Sequence, residues 1–351
     1  MAKKPATIVG LELEPSGVTA VAVTGSGRLE IKHAATAPLD PGVIRDGEVA
    51  EVDALADALR RLWQDEKGLD KRVRVGIANQ KIVVRIIELP VIEDPKELAQ
   101  AVRFQAQDQI PMPLDSAVLD FQTLGIVDTD QGRRQRIVLV AARRDMIDRV
   151  LAATRAAGLR PEGIDLSAFG MVRALQPTAL AAGAGPDDVV LYVSIGGLTN
   201  IAVAQGRTCT FTRVVGAGLE QLAVELAERR RLTLDQARAW FTQVGLEQPL
   251  ELLDGDPEIV AETRALLDEG TRRIAGEVRN SVDFHHMQGS SGPVTHCVLT
   301  GPAADVPGFV AAFAVELGLP VHPGAVAGAP LGLDARMAVA AGLAIPEAQA
   351  A

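Results

Sequence analysis

The sequence predicts a mixed α/β protein of two related lobes, with a smaller α/β unit inserted in the first. Three observations carry this reading. The 351 residues exceed one ordinary domain and suffice for two cores. An order of three strands, a helix and a strand opens the chain and begins again after residue 187. Helices alternate with strands through the second half, as expected of sheets covered on their faces.

The first three strands are expected at Thr7 to Leu13, Val18 to Val23 and Arg28 to Ala34, because apolar runs are punctuated by Glu14-Pro15-Ser16-Gly17 and Thr24-Gly25-Ser26-Gly27. Val52, Leu55, Leu59 and Leu62 then recur at helical spacing, before a strand at Val73 to Ala78. In the inserted unit, Asp94-Pro95-Lys96-Glu97 supplies an N-cap, a proline at the first helical position and a capping-box glutamate. That helix should stop at Ile110-Pro111. Strands at Phe121 to Val127 and Arg136 to Ala142 follow, then a helix from Asp145 to Ala157 closed by Gly158.

The second lobe is expected to start with strands near Val189 to Ile195, Asn200 to Ala204 and Thr208 to Val215. Sliding the first hairpin onto this one without a gap pairs Glu12 with Ser194, Leu13 with Ile195, Ala20 with Ala202, Val21 with Val203 and Ala22 with Ala204. Helical segments follow from Leu219 to about Pro257, with Leu222, Leu226 and Trp240 as core, and from Pro257 to about Gln288. A strand at Thr295 to Thr300, a helix from Pro307 to Leu317, a strand at Leu319 to His322 and an Ala-rich helix near Ala335 to Ala344 end the order. The expected boundaries are 1–84 with 166–186 for the first core and 85–165 for the inserted subdomain. The second core takes 187–218 with 290–351, and 219–289 is a helical insertion.

Composition excludes several classes. A net charge of -10 with both signs mixed argues against binding nucleic acid or anionic lipid. Cys209 and Cys297, the only cysteines, lie in apolar runs with no metal-ligand spacing and read as buried thiols. The five histidines, His33, His285, His286, His296 and His322, form no metal set. No signal-peptide core follows Met1 to Pro5, and the uncharged stretch Val189 to Gly206 is too rich in polar and turn residues for a lipid-facing helix. No GxSxG elbow, GxxxxGK[ST] loop or nucleophilic cysteine signature occurs.

Several ordered stretches carry a family resemblance. They are Leu89-Pro90 leading into Glu97-Leu98; Phe104-Gln105-Ala106 through Ile110-Pro111-Met112-Pro113-Leu114; and Ala157-Gly158-Leu159-Arg160-Pro161 with Ile164-Asp165 and Arg173-Ala174-Leu175. Gly216-Ala217-Gly218, Glu277-Val278-Arg279-Asn280-Ser281-Val282-Asp283-Phe284 and Leu299-Thr300-Gly301 with Pro307-Gly308 continue the series. In order and spacing the chain resembles the PilM family of type IV pilus assembly proteins, relatives of FtsA, over nearly its entire length. The resemblance implies the two-lobed actin-like (ribonuclease H-like) ATPase fold, in which the first hairpin of each lobe cradles phosphate.

The resemblance also implies a nucleotide cleft, with ATP and Mg as the expected ligands, made from Glu12, Ser16, Gly17, Ser194, Gly196, Gly197, Thr199, Asn200, Gly216, Gly218, Glu277 and Gly301. Three loops depart from the family pattern. Where relatives place a glycine in the first phosphate loop, this chain has Glu14, followed by Pro15, which adds bulk and charge and removes an amide donor. Ser194 stands where an aspartate would hold magnesium through water. The adenosine loop reads Gly301-Pro302-Ala303. ATP binding is therefore expected to be weak or absent, with no metal site and no catalytic residue assigned.

By the same resemblance, the inserted subdomain and first lobe form a groove for the N-terminal cytoplasmic tail of a PilN-like membrane protein. Leu89, Pro90, Phe104, Ile110 and Pro111 are the candidate lining, with ordinary core packing as the competing reading. Other pilus alignment or motor proteins are further expected partners, and a homo-oligomer stays open. FtsA-like proteins usually carry a basic amphipathic segment, and none is recognised after the Ala-rich helix, so a cytoplasmic protein held at the inner membrane through its partner is expected. Two functional readings stand: a scaffold with a degenerate cleft, or an ATPase whose partner affinity is switched by nucleotide. A sugar-kinase-like or chaperone-like enzyme lacks a catalytic aspartate early in the second lobe.

Overall fold

The computed structural model describes residues 8–24, 30–130, 132–287, 292–326, 328–329 and 335–345. The turn expected at 25–27, Gln288 and the two chain ends lie outside them. The first lobe opens with β1 (Val9–Glu14), β2 (Gly17–Thr24) and β3 (Glu30–Pro38), an antiparallel meander. A two-residue hairpin, β4 (Ile44–Arg45) and β5 (Glu48–Val49), leads to α1 (Val52–Asp65), which buries Leu55, Leu59 and Leu62, and to β6 (Arg72–Ile77).

The chain then leaves the lobe. β7 (Val83–Pro90), α2 (Pro95–Gln109), β8 (Ala117–Thr129) and β9 (Gly132–Arg143) form a separate antiparallel sheet in the order β7-β9-β8. The Asp94 carboxylate accepts from the Lys96 and Glu97 amides at 2.8 and 2.9 Å, the N-cap that starts α2. α3 (Arg144–Ala156) buries Met146, Val150 and Ala153 in the first lobe's core, and β10 (Arg160–Leu166) pairs parallel with β6. The insertion therefore spans about 83–143, shorter than the expected 85–165, because α3 and β10 belong to the lobe itself. α4 (Ser167–Ala181) follows.

The second lobe holds β11 (Val189–Ile195), β12 (Thr199–Gln205), β13 (Thr208–Val215), α5 (Leu219–Arg230), α6 (Leu234–Val244), α7 (Pro257–Met287), β14 (Val294–Thr300), α8 (Phe309–Leu317), β15 (Val321–Pro323) and α9 (Ala338–Ala344). Its sheet order, β15-β14-β11-β12-β13, repeats that of the first lobe, β10-β6-β1-β2-β3. In this comparison α7 is the counterpart of α1, a core helix burying Leu267, Ile274, Ala275 and Val278, so the helical insertion is α5 and α6 rather than 219–289.

The gapless superposition of the two hairpins is corrected by their registers. Glu12 pairs with Thr19, whereas Ser194 pairs with Asn200, so the first turn is one residue longer. Ala20 therefore corresponds to Ile201 and Val21 to Ala202. The faces agree: Ala20 and Ile201 pack in the outer cores, Val21 and Ala202 against the middle layer. A one-residue slip moves every side chain of a strand to the other face.

That middle layer is α4 crossing α9 between the two sheets, around Met171, Leu175, Met337 and Leu343. The crossing is built on glycine. A Cβ at Gly342 would lie 1.7 Å from the Gly170 carbonyl oxygen, and one at Gly10 would lie 1.8 Å from that of Ala340. Arg74 and Arg173 donate to the carbonyls that end α9, at 3.1 Å to Leu343, 2.6 Å to Ile345 and 3.0 Å to Gly342.

Candidate functional site

The tips of the two hairpins meet across the lobes and wall a cleft of about 320 Å³. Glu12, Glu14, Ser16 and Gly17 line it from the first lobe, and Ser194, Gly196, Gly197 and Gly301 from the second. The Gly197 amide donates to the Glu14 carboxylate over a long 3.4 Å. A Cβ on Gly196 would lie 2.3 Å from that carboxylate, and one on Gly197 would lie 2.6 Å from the Pro15 ring. The Gly196 amide is already turned inward to the Leu198 carbonyl at 3.0 Å. Of this glycine loop's amides, that of Gly197 faces the Glu14 carboxylate and that of Gly196 is satisfied within its own turn.

The cleft gathers carboxyl groups and arginines that are already paired. Arg238 donates to both oxygens of Glu220, at 3.0 Å to one of them, and to Asp235 at 2.8 Å. Arg336 is paired with Asp305. The cations are spoken for, while no described residue donates a hydrogen bond to Glu12, which is 8% exposed. Burial, and then the charge of Glu14, raise the Glu12 carboxyl well above its ordinary value. Burial pushes Glu14 up to about 7, reinforced by Glu220 and opposed by the Gly197 amide and Arg336.

A stability consequence follows from the sign of these shifts. The folded state holds both protons more tightly than the unfolded chain, so the stabilisation is complete below the unfolded value of 4.5, and the share that Glu14 carries is lost as pH rises through about 7. The melting temperature is expected to fall across that window, and Glu14→Gln should flatten the fall, with the remainder carried by Glu12. Calorimetry between those limits checks it; equal slopes for both proteins refute the assignment to Glu14.

A second concavity, about 510 Å³, lies where the first lobe, the inserted sheet and the second lobe converge. Its lining includes β7 (Val83, Val84, Arg85) and β13 (Phe211 to Val214), each the edge strand of its sheet, together with Asn79, Gln80, Pro111 and Phe284. Asn200 reaches this groove from β12 with only 6% exposure, and its buried Oδ1 finds no hydrogen-bond partner among the described residues.

The expected site residues separate accordingly. Glu12, Ser16, Gly17, Ser194, Gly196, Gly197 and Gly301 line the cleft, and Gly218 starts α5 behind the glycine loop, where a Cβ would lie 2.5 Å from the Gly196 oxygen. Four others do not line it. Thr199 is buried and its hydroxyl donates to Ala217 at 2.6 Å, Asn200 faces the groove, Gly216 lies beside the Gln80 side chain, and Glu277 is on α7 beside Arg213.

Of the expected groove residues, only Pro111 lines the concavity. Leu89 and Ile110 are buried in the inserted unit's own core, Pro90 ends β7, and Phe104 is 71% exposed on α2. Sequence reasoning missed Glu220, Arg238 and Arg336 in the cleft, which no spacing connects. Phe284 was legible as part of a family stretch, yet only the fold sets it against β13.

A family profile described as "Type IV pilus assembly protein PilM" matches residues 10–323. Among solved structures, the chain is similar to one titled "PilM-PilN type IV pilus biogenesis complex", at 26% identity and a TM-score of 0.79, covering 97% of this chain and 98% of that one. It is also similar to the ethanolamine utilization protein EutJ from Carboxydothermus hydrogenoformans, at 15% identity, a TM-score of 0.57 and coverage of 98% and 91%. MreB5 of Spiroplasma citri bound to ADP matches at 12% identity and a TM-score of 0.52, covering 96% and 95%. The last two show the fold, which is the two-lobed actin-like one. Among the described residues, no helix is long and apolar enough to cross a membrane.

Proposed function

The chain belongs to the family of the type IV pilus assembly protein PilM, and from that premise we propose that it works as a binding scaffold, holding the cytoplasmic N-terminal tail of a PilN-like membrane protein. The observation that carries this is the groove between the edge strands β7 and β13. Edge strands present backbone donors and acceptors that an extended segment can pair with, and alternate side chains then fall into flanking apolar pockets. Val83, Val84, Phe211 and Phe284 supply the apolar surface, and the unpaired Asn200 carbonyl offers a buried acceptor for a peptide N–H. The tail would tether the protein peripherally at the inner membrane.

ATP with Mg does not fit the cleft. The Glu14 carboxyl covers the glycine loop, Glu12 adds a second carboxyl to the same cavity, and Ser194 offers a hydroxyl in place of a metal-binding carboxylate. Partner binding, rather than turnover, is the activity proposed here.

Isothermal titration with a peptide of the partner's N-terminal tail tests the groove. Phe284→Ala and Arg85→Glu should each weaken binding about tenfold or more, since anchors in such grooves are worth roughly 1 to 2 kcal/mol. Phe104→Ser, on the remote face of α2, should leave it unchanged. Loss of binding in Phe104→Ser with full binding in Phe284→Ala overturns this placement. Micromolar binding of an ATP analogue with phosphate release by the unmodified protein overturns the scaffold reading.

A further inference from the structure

We propose that the Glu14-Pro15 tip is an internal plug: its carboxyl occupies the glycine loop of the opposite hairpin and holds the two lobes closed without a nucleotide. The inference rests on the reading of the cleft as degenerate and adds to it a device for opening and closing. In a two-lobed cleft of this kind, a ligand closes the lobes by contacting both at once. Here the chain makes that contact itself. Glu14 ends β1 at the turn into β2, and it reaches the Gly197 amide in the turn between β11 and β12.

The fit is reciprocal. Gly196 and Gly197 are buried, and a Cβ on either would overlap Glu14 or Pro15, so the loop that lacks side chains is filled by the tip that gained them. Leu198, at the same tip, approaches Gly47 in the first lobe, where a Cβ would lie 3.3 Å from its Cδ1. An oxygen of the carboxyl group accepts from one backbone amide of the loop, as a phosphate oxygen would.

The plug is sensitive to protonation. The groups facing it are Glu12 from β1, Glu220 from α5 with its partner Arg238 from α6, and Arg336 in the turn before α9, paired with Asp305. Losing the Glu14 proton places a charge in a buried site beside Glu220 and the Glu12 carboxyl, and the closed arrangement weakens. Alkaline conditions favour opening and acid conditions favour closure.

Spin labels at Gln64→Cys on α1 and Glu228→Cys on α5 report the lobe separation by pulsed dipolar spectroscopy. The native thiols are buried, and burial pushes Cys209 up to about 12 and Cys297 up as well, so the introduced cysteines take the label. At about pH 6 the otherwise unaltered protein should show one narrow distance distribution, broadening roughly twofold at about pH 8. Glu14→Ala should be broad at both, and Glu14→Gln, which keeps an accepting oxygen without charge, narrow at both. A Glu14→Ala distribution matching the Glu14-containing protein at the lower pH overturns the plug. Should that variant not fold, a Glu14→Gln distribution matching it at the higher pH does the same. The distances are recorded without nucleotide, so tight binding of ATP-Mg in a separate titration would defeat the degenerate-cleft reading while the labels judge the plug.

Discussion

Gly342→Ala is expected to destabilise the protein by about 3 kcal/mol or more, the upper end of what overpacking a tight interior costs. The reason is a contact that cannot yield. The new Cβ would lie 1.7 Å from the Gly170 carbonyl oxygen and 2.5 Å from its carbon, and both belong to the backbone of α4 rather than to a flexible side chain. α4 and α9 must then separate, opening the layer between the two sheets that Met171, Leu175 and Leu343 fill. Gly276→Ala provides the contrast. It lies in α7 with its nearest neighbour, an Arg279 nitrogen, 4.0 Å from the added carbon, so relief of glycine's backbone freedom should stabilise by about 0.5 to 1 kcal/mol. Urea unfolding midpoints moving in opposite directions would bear out the crossing; a Gly342→Ala midpoint at the parent value would refute it.

The second large effect concerns the ion pair beside that crossing. Buried Asp165 near the end of β10 is paired with largely covered Arg173 on α4, which also donates to the Gly342 carbonyl. Asp165 further accepts from the Leu166 amide at 2.7 Å. Arg173→Leu leaves the carboxylate buried without its cation and the Gly342 carbonyl without its guanidinium donor, and a loss of about 3 to 5 kcal/mol is expected. Asp165→Asn strands the guanidinium in turn and should cost less, because Arg173 keeps its carbonyl partner. The double variant should lose less than the sum of the singles, as expected of groups in contact. Denaturant titration of the four proteins checks this, and strict additivity would show that the pair contributes nothing as a pair.

Much of the fold was legible because it is local. The apolar run at Val189 to Ile195, the 3.6-residue spacing of Leu55, Leu59 and Leu62, and the cap at Asp94 each depend on neighbours in sequence, and all three elements formed. The strand at Val83–Pro90 was not anticipated, and neither were Arg160–Leu166 and the helix at Ser167–Ala181. The last buries adjacent residues such as Met171 with Val172 and Ala174 with Leu175, and so shows little periodicity. Leu89 and Ile110 illustrate the limit for sites: the same apolar residue lines a groove or fills a core according to which face its element turns.

The sequence alone determined that two related lobes exist, that a subdomain interrupts the first, and that Glu14-Pro15 and Gly196-Gly197 sit at the turns of the two first hairpins. These follow from residue type and order along the chain. The tertiary structure decided what Glu14 does. Its carboxyl reaches the Gly197 amide across 183 residues, a contact no spacing encodes. It also decided that β7 and β13, edges of two different sheets, face one groove. Both outcomes depend on how lobes pack, which is set by long-range burial at α4 and α9 rather than by any local preference.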